Sequence, residues 1–402
     1  MSASRTLDDL GDLTGRRVLV RADLNAPMDG AAVTDDTRLR AVEPTVRELA
    51  EQGAIVLLLS HMGRPNGAKD PKLSLALITD DLTPVLGRTV QFVEDCQGPV
   101  AERAVGMAQP GDVLLLENTR FHAGEEANDP VLADAMARLG DLYVNDAFSA
   151  AHRAHASTVG LAHRLPAYAG RSMARELAAL GRALGQPEHP VMAVVGGAKV
   201  SSKLAVLEHL VSIVDHLVIG GGMANTFLLA RGVAIGRSLA EPSLTDICEA
   251  IFAAAERANC IVHLPYDVVV AREFRANPPV RTVNVHEVAE DEMILDVGPA
   301  ATEAIADALK TCRTLVWNGP LGAFETPPFG TATLSLARTV AALTQAGQLV
   351  SVAGGGDTVA ALNQAQVADE LTFVSTAGGA FLEWMEGRTL PGVAALMQGD
   401  ET

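Results

Sequence analysis

Short apolar runs of β type alternate with helix-length segments from Val18 onward. This alternation restricts the chain to β-α-β units with right-handed crossovers and parallel sheets. In the first half, strands are expected near Val18 to Val20, Ile55 to Leu59, Val90 to Val93, Val113 to Leu116 and Leu142 to Val144. Helical stretches such as Arg38 to Glu51 and Pro130 to Leu139 lie between them. A basic residue recurs past these runs: Arg21, then His61 and Arg64, then Arg120 and, more distantly, Arg153. Parallel strands share one carboxyl edge, where open α/β folds bind ligands, so the pattern predicts an anion pocket.

At 402 residues the chain is too long for one ordinary core, and two domains are expected. Met173, Leu177, Leu180 and Leu184 recur at spacings of four, three and four, which is a helix with one buried stripe. Pro187 and Pro190 in "GQPEHP" stop it and mark a domain boundary, with the preceding helix as connector. Beyond it the strand pattern restarts, and nearly every run ends in glycine: Gly196-Gly197, Gly220 to Gly222, Gly319, Gly354 to Gly356 and Gly378-Gly379. Glycine lets a ligand approach main-chain N–H groups closely, and a following helix adds its positive end, so this edge suits phosphates.

Acidic residues exceed basic ones by 49 to 31, for a net charge of -18, which repels nucleic acid and anionic lipid. An anionic ligand must then be small and held by a local basic cluster. Cys96, Cys248, Cys260 and Cys312 are scattered without a C-x-x-C pair, which suits a reducing cytosol. Met1 to Leu13 has no apolar core segment, and no stretch reaches the ~18 to 20 residues of a membrane span. A soluble, cytoplasmic protein is expected.

Three strings carry chemistry. "GGGDT" at Gly354 to Thr358 offers amides to one ligand, and Asp357 suits either a hard cation such as Mg2+ or the N-cap of a helix. "GGAKVSSK" at Gly196 to Lys203 is expected to set Lys199 and Lys203 on one face of a helix that starts at the glycines. "AHRAHAS" places His152 and His155 at H-x-x-H spacing, which is too few ligands for a zinc site. His61 is as suited to donating a hydrogen bond to an anion as to acting as a general base. Neither G-x-x-x-x-G-K-[ST] nor G-x-G-x-x-G occurs.

Taken together, these segments resemble the phosphoglycerate kinase family. The similarity covers nearly the whole chain in order: "RADLNAP" from Arg21, "SHMGRP" from Ser60, "ENTRF" from Glu117, "NDAFSAAHRAHAS" from Asn145, "GGAKVSSK", "WNGPLGAFE" from Trp317, "GGGDT", and "STAGGAFLEWMEG" from Ser375. The resemblance implies two doubly wound α/β domains joined by a hinge helix, and a reversible phosphoryl transfer between ATP and the carboxylate of 3-phosphoglycerate. It implies a 3-phosphoglycerate domain over 1–170, a connecting helix over 171–186, a nucleotide domain over 187–388 and a tail over 389–402 returning to the first domain. Asp23, Asn25, Arg38, His61, Arg64, Arg120 and Arg153 would hold 3-phosphoglycerate. Lys203, Glu325 and Gly354, Gly355, Gly356, Asp357 and Thr358 would hold Mg-ATP or Mg-ADP, with Asp357 toward Mg2+ and Gly220, Gly221 and Gly222 beside the adenine. Arg38 and Lys199 would meet the phosphoryl group in flight, aided by the amides of Gly378 and Gly379. A monomer with only small-molecule partners is implied.

The roles agree with elementary chemistry. A carboxylate with a pKa near ~3.5 to 4 is already a nucleophile at neutral pH and needs no base. Phosphoryl transfer then depends on position and on cations and amides that stabilise charge spread over the equatorial oxygens. Some positions depart from the family pattern: Thr119, Asn225, Ala300, Ala377 and Phe381. Ala377 matters most if its backbone needs positive φ. Two other readings share the fold class: a catalytically silent nucleotide-binding scaffold, and a nicotinamide oxidoreductase that lacks its glycine fingerprint.

Overall fold

A computed structural model describes residues 5 to 30 and 32 to 397. The outermost ends of the expected first domain and of the expected tail lie outside the described residues. By contacts the chain divides into two units: one runs to Leu177 and resumes at Thr389, and the other is Ala178–Arg388.

The first unit contains β1 (Arg17–Arg21), the hairpin β2 (Met28–Asp29) and β3 (Ala32–Val33), β4 (Ile55–Leu59), β5 (Val90–Val93), β6 (Val113–Leu116), β7 (Leu142–Asn145) and β8 (Ala167–Ala169). Six of these form a sheet in the order β5-β6-β4-β1-β7-β8, with every pairing parallel. All five residues of β4 and all four of β6 are buried, as a parallel sheet covered on both faces requires. Each such aliphatic side chain contributes roughly 1.5 to 3 kcal/mol by leaving water. The chain reverses direction across the sheet between β1 and β7, so the loops after these strands flank a crevice.

The second unit contains β9 (Val191–Gly196), β10 (His216–Gly220), β11 (Ile261–His263), β12 (Asp267–Ala271), β13 (Val280–Asn284), β14 (Met293–Val297), β15 (Thr314–Asn318), β16 (Val350–Gly354) and β17 (Phe373–Ser375). Its main sheet runs β11-β10-β9-β15-β16-β17, again all parallel. Counted along the main-sheet strands this is the 3-2-1-4-5-6 order of dinucleotide folds, with the reversal between β9 and β15. A separate antiparallel sheet, β13-β12-β14, was not anticipated. Its edge strand β13 buries only Val283, and a lone core residue leaves no periodic trace.

The connecting helix spans Arg171–Leu180, and Asp146 accepts from the N–H groups of Ser172 (2.8 Å) and Met173 (3.0 Å) at its start. The division between units falls inside this helix, ahead of the proline stop. The final helix, Pro391–Met397, packs on the first unit, where Gly392 N–H donates to the Ala151 carbonyl at 2.8 Å. Among the described residues no helix is long and apolar enough to cross a membrane.

Candidate functional site

At the carboxyl edge of the first sheet the loops after β1 and β4 interlock. Leu24 N–H donates to Ser60 Oγ (2.9 Å) and Gly63 N–H donates to Asn25 Oδ1 (2.9 Å), which fixes both loops. Arg38, at the start of the helix Thr37–Glu51, donates to the Asn25 carbonyl (3.1 Å) and pairs with Asp23 (3.0 Å). Ser149, after β7, donates to the same carboxylate at 2.5 Å. Arg120 enters from the loop after β6, donating to the Gly63 carbonyl (2.8 Å) and pairing with Glu126 (3.1 Å). Asp23, Asn25, Arg38 and Arg120 are thus joined through direct contacts, with His61 in the same loops. Arg153 lies close enough for its charge to act on Arg120, whereas Arg64 is simply exposed.

Arg21 went without a role in the family reading, yet it organises this edge. Its guanidinium is buried, donating to Ser157 Oγ (2.9 Å), to the Ala22 carbonyl and to His61 Nδ1 (3.0 Å). Burial, then the charges of Arg21 and Arg120, hold the His61 pKa well below its usual value, so the ring is neutral. With Nδ1 accepting from Arg21, the proton sits on Nε2. His61 is therefore built to donate, not to act as a base. The same causes bring His155 down to about 4. Beneath the site Glu125 is fully buried, accepting from Ser157 N–H (3.0 Å), Ser157 Oγ (2.5 Å) and Thr119 Oγ1 (3.2 Å). Thr119, a departure from the family pattern, thus has a use for its hydroxyl. Ser157 and Glu125 lie 136 and 104 positions from Arg21, so no local spacing could reveal them.

In the second unit the glycines after β9, β10 and β15 serve neighbouring main chains as much as any ligand. A Cβ on Gly319 would collide with the Gly196 carbonyl, and one on Gly222 would lie 2.7 Å from the Ala198 carbonyl. By contrast, nothing stands within 4 Å of where a Cβ on Gly356 or Gly378 would be. Gly355 has φ +94°, which lets the helix Gly356–Ala365 begin with its amides exposed. Asp357 is the second residue of that helix and exposed, so Gly355 and not Asp357 is the N-cap. Thr358 is turned inward, its hydroxyl accepting from Gly319 N–H at 2.7 Å.

The two lysines do not share a helix face. Lys199 is in extended backbone (φ −135°), Val200–Ser202 make one tight turn, and the helix begins at Leu204. Glu241 holds Ser201 by its N–H (3.0 Å) and hydroxyl (2.6 Å), which fixes the turn in place of a helical start. Lys199 is left exposed, while Lys203 is half-buried and donates to Asn318 Oδ1 and to the Asn318 carbonyl (3.3 Å). Burial pulls the Lys203 ammonium down to about 8, against the attraction of Asp357.

A cleft of about 510 Å³ opens at the sheet's reversal point, lined by Gly221, Gly222, Asn225, Leu239, Glu325 and Asp357, among others. It is apolar along one side and carries two exposed carboxylates, a form suited to a base and sugar with a charged end. The exposed Asp357 carboxylate fits a hard, oxygen-seeking cation such as Mg2+ that keeps waters and phosphate oxygens, while the open amides and the nearby Lys203 ammonium suit the phosphates themselves.

Residues 7–388 match the phosphoglycerate kinase family model. The chain is 74% identical over 394 residues to the phosphoglycerate kinase of Rhizorhabdus wittichii, covering 98% of this chain and 99% of that protein. The chain belongs to the phosphoglycerate kinase family. The phosphoglycerate kinase of Sphingopyxis alaskensis is 69% identical, covering 98% of this chain and all of that one. Among solved structures, phosphoglycerate kinase from Coxiella burnetii superposes with a TM-score of 0.92 at 41% identity, covering 98% and 99% of the two chains. The Pyrococcus horikoshii enzyme gives 0.80 at 30% identity, covering 99% of each. As a family member the chain is a phosphotransferase of glycolysis with a carboxyl acceptor, exchanging a phosphoryl group between ATP and 3-phosphoglycerate. The scaffold and oxidoreductase readings gain no support.

Of the departures from the family pattern, Ala377 has φ −93°, so its methyl group carries no backbone strain. Phe381 is buried against Gly354, where a Cβ would come within 2.6 Å of its ring, so the larger side chain fills space the glycine leaves. Ala300 contributes an N–H that donates to Asp267 at 3.1 Å.

Proposed function

We propose that the first unit holds 3-phosphoglycerate and the second holds Mg-ATP or Mg-ADP, with the transfer completed by groups from both. One observation supports this reading: Arg21, Arg38 and Arg120 crowd one sheet edge of the first unit, where their charges add to burial, the larger cause, in keeping His61 neutral. Such a cluster, in a chain of net charge -18, needs a small anion to offset it. Arg64, Arg120 and Arg153 bind the phosphate of 3-phosphoglycerate, His61 donates through Nε2, and Asp23 and Asn25 orient the acceptor end. Asp23 also aligns Arg38, whose guanidinium then faces the phosphoryl group in flight together with Lys199.

In the second unit Gly220, Gly221 and Gly222 flank the adenine, Glu325 takes the ribose, and Lys203 and the Gly354 to Gly356 amides take the phosphates. Asp357 holds Mg2+, which neutralises phosphate charge when bound. The Gly378 and Gly379 amides, exposed at the start of the helix Gly378–Met385, stabilise the equatorial oxygens. No general base is required, since the acceptor carboxylate is ionised already. We take the transfer to be accompanied by a closing motion about Arg171–Leu180, which would exclude water from the reacting groups. The four cysteines are free and buried, which suits a reducing cytoplasm, and we take the enzyme to be a monomer.

The test supplies Mg-ATP and 3-phosphoglycerate and reads ADP and acyl phosphate through a coupled dehydrogenase and NADH. Asp357→Ala and Lys199→Ala should each remove most turnover without unfolding the chain. Near-normal rates in either refute that residue's role, and no signal above a control lacking 3-phosphoglycerate refutes the reaction.

A further inference from the structure

Outside the two sites, three metal-ligating side chains converge beyond adjacent strands. β5 and β6 run parallel with Val93 opposite Leu116, so the residues that follow each emerge at the same edge. Asp95 and Cys96 come from the first loop and His122 from the second, and their ligand atoms all lie within 4.8 Å of one another. His122 Nε2 and Asp95 Oδ1 are 2.8 Å apart. Cys96 is fully buried, while the side chains of Asp95 and His122 keep 25% and 21% exposure. The thiol forms a floor and the other two form a rim open to water.

We propose that Asp95, Cys96 and His122 bind a thiophilic divalent cation of the Zn2+ class, with water in the fourth position. One sulfur, one imidazole nitrogen and one carboxylate oxygen form a three-ligand set of the kind such an ion takes in open sites, whereas Mg2+ prefers oxygen alone. On binding, the Cys96 S–H bond breaks, its proton leaves to solvent and a sulfur–metal bond forms. Ligation through Nε2 leaves the His122 ring proton on Nδ1, 3.4 Å from the Gln97 amide nitrogen. Turning that amide over presents its oxygen to the ring N–H and fixes the tautomer needed for ligation.

The probe is Co2+, titrated into the full chain after chelator treatment and in excess Mg2+. One equivalent should produce a near-ultraviolet thiolate-to-Co2+ charge-transfer band, which Zn2+ then abolishes by displacement. Cys96→Ser removes the band, and Cys248→Ser, at a buried thiol elsewhere, leaves it. Gln97→Ala, which removes the outer partner of His122, weakens Co2+ binding by about 10- to 100-fold. A titration without the band, or a band that survives Cys96→Ser, overturns the site. If Cys96→Ser fails to fold, His122→Gln at the partly exposed rim decides: unchanged Co2+ affinity there also overturns it.

Discussion

With Lys203 against the nucleotide phosphates, as proposed above, nucleotide binding becomes a proton-linked event. Its ammonium is half-buried and lies at about 8 where the ordinary value is 10.5, chiefly because burial strips its hydration. A difference of about 2.5 corresponds to at most about 3 kcal/mol in favour of the neutral amine. The sign follows from which state holds the proton. Between about 8 and 10.5 the unfolded chain keeps a proton that the folded chain has lost, so the free protein gains stability as pH rises through that window. Phosphate affinity runs the other way. Bound phosphates restore the charge, so binding near pH 8 takes up about half a proton, and affinity falls about tenfold from about pH 7 to about pH 9. Calorimetric titration of Mg-ADP in buffers of different ionisation enthalpy measures the uptake directly. Lys203→Arg, permanently charged, should bind with no pH dependence in this range, and Lys203→Met should bind weakly and equally without it. Buffer-independent enthalpies with equal wild-type affinity at both ends would refute the reasoning.

Three further outcomes follow from particular contacts. Burial lifts the Asp296 carboxyl to about 7 against donors that include Ala332 N–H (3.1 Å) and Val297 N–H (2.9 Å). Its folded value exceeds the ordinary 3.8, so its contribution is complete below about 4 and is lost as pH rises through about 7. Wild-type Tm should therefore drop over that interval more steeply than that of Asp296→Asn. Gly319→Ala drives a methyl into the Gly196 carbonyl and should lower stability by about 3 kcal/mol or more, while Gly356→Ala, in open space, should change it by about 1 kcal/mol or less. Denaturant midpoints separate the two. Glu125→Gln replaces a buried carboxylate that accepts three hydrogen bonds and should lower stability by about 2 kcal/mol, read from a urea titration.

The parallel strands were legible because burial on both faces writes a continuous apolar run, and Ile55–Leu59 and Val113–Leu116 match their expected bounds residue for residue. The antiparallel sheet was not, since β13 exposes four of its five residues. At the sites, charged groups were visible by type and by position after strands, whereas their supports were not. Nothing near Arg21 points to Ser157, and nothing near Lys199 points to Glu241, which replaces the helix that a four-residue spacing suggests. Glycine was ambiguous for a related reason. Gly196, Gly222 and Gly319 yield to other stretches of backbone and Gly356 faces open space, yet all read alike in one dimension.

Where β9 and β15 part, peptide groups of the two loops touch with no side chain between them. That portion of the cleft is therefore rigid stock: changing its outline requires two stretches of backbone to shift in concert, which single substitutions do not achieve. If the cleft takes the nucleotide as proposed, divergence in which nucleotide is accepted falls to replaceable side chains on the remaining walls, such as Asn225, Leu239, Phe274 and Met293.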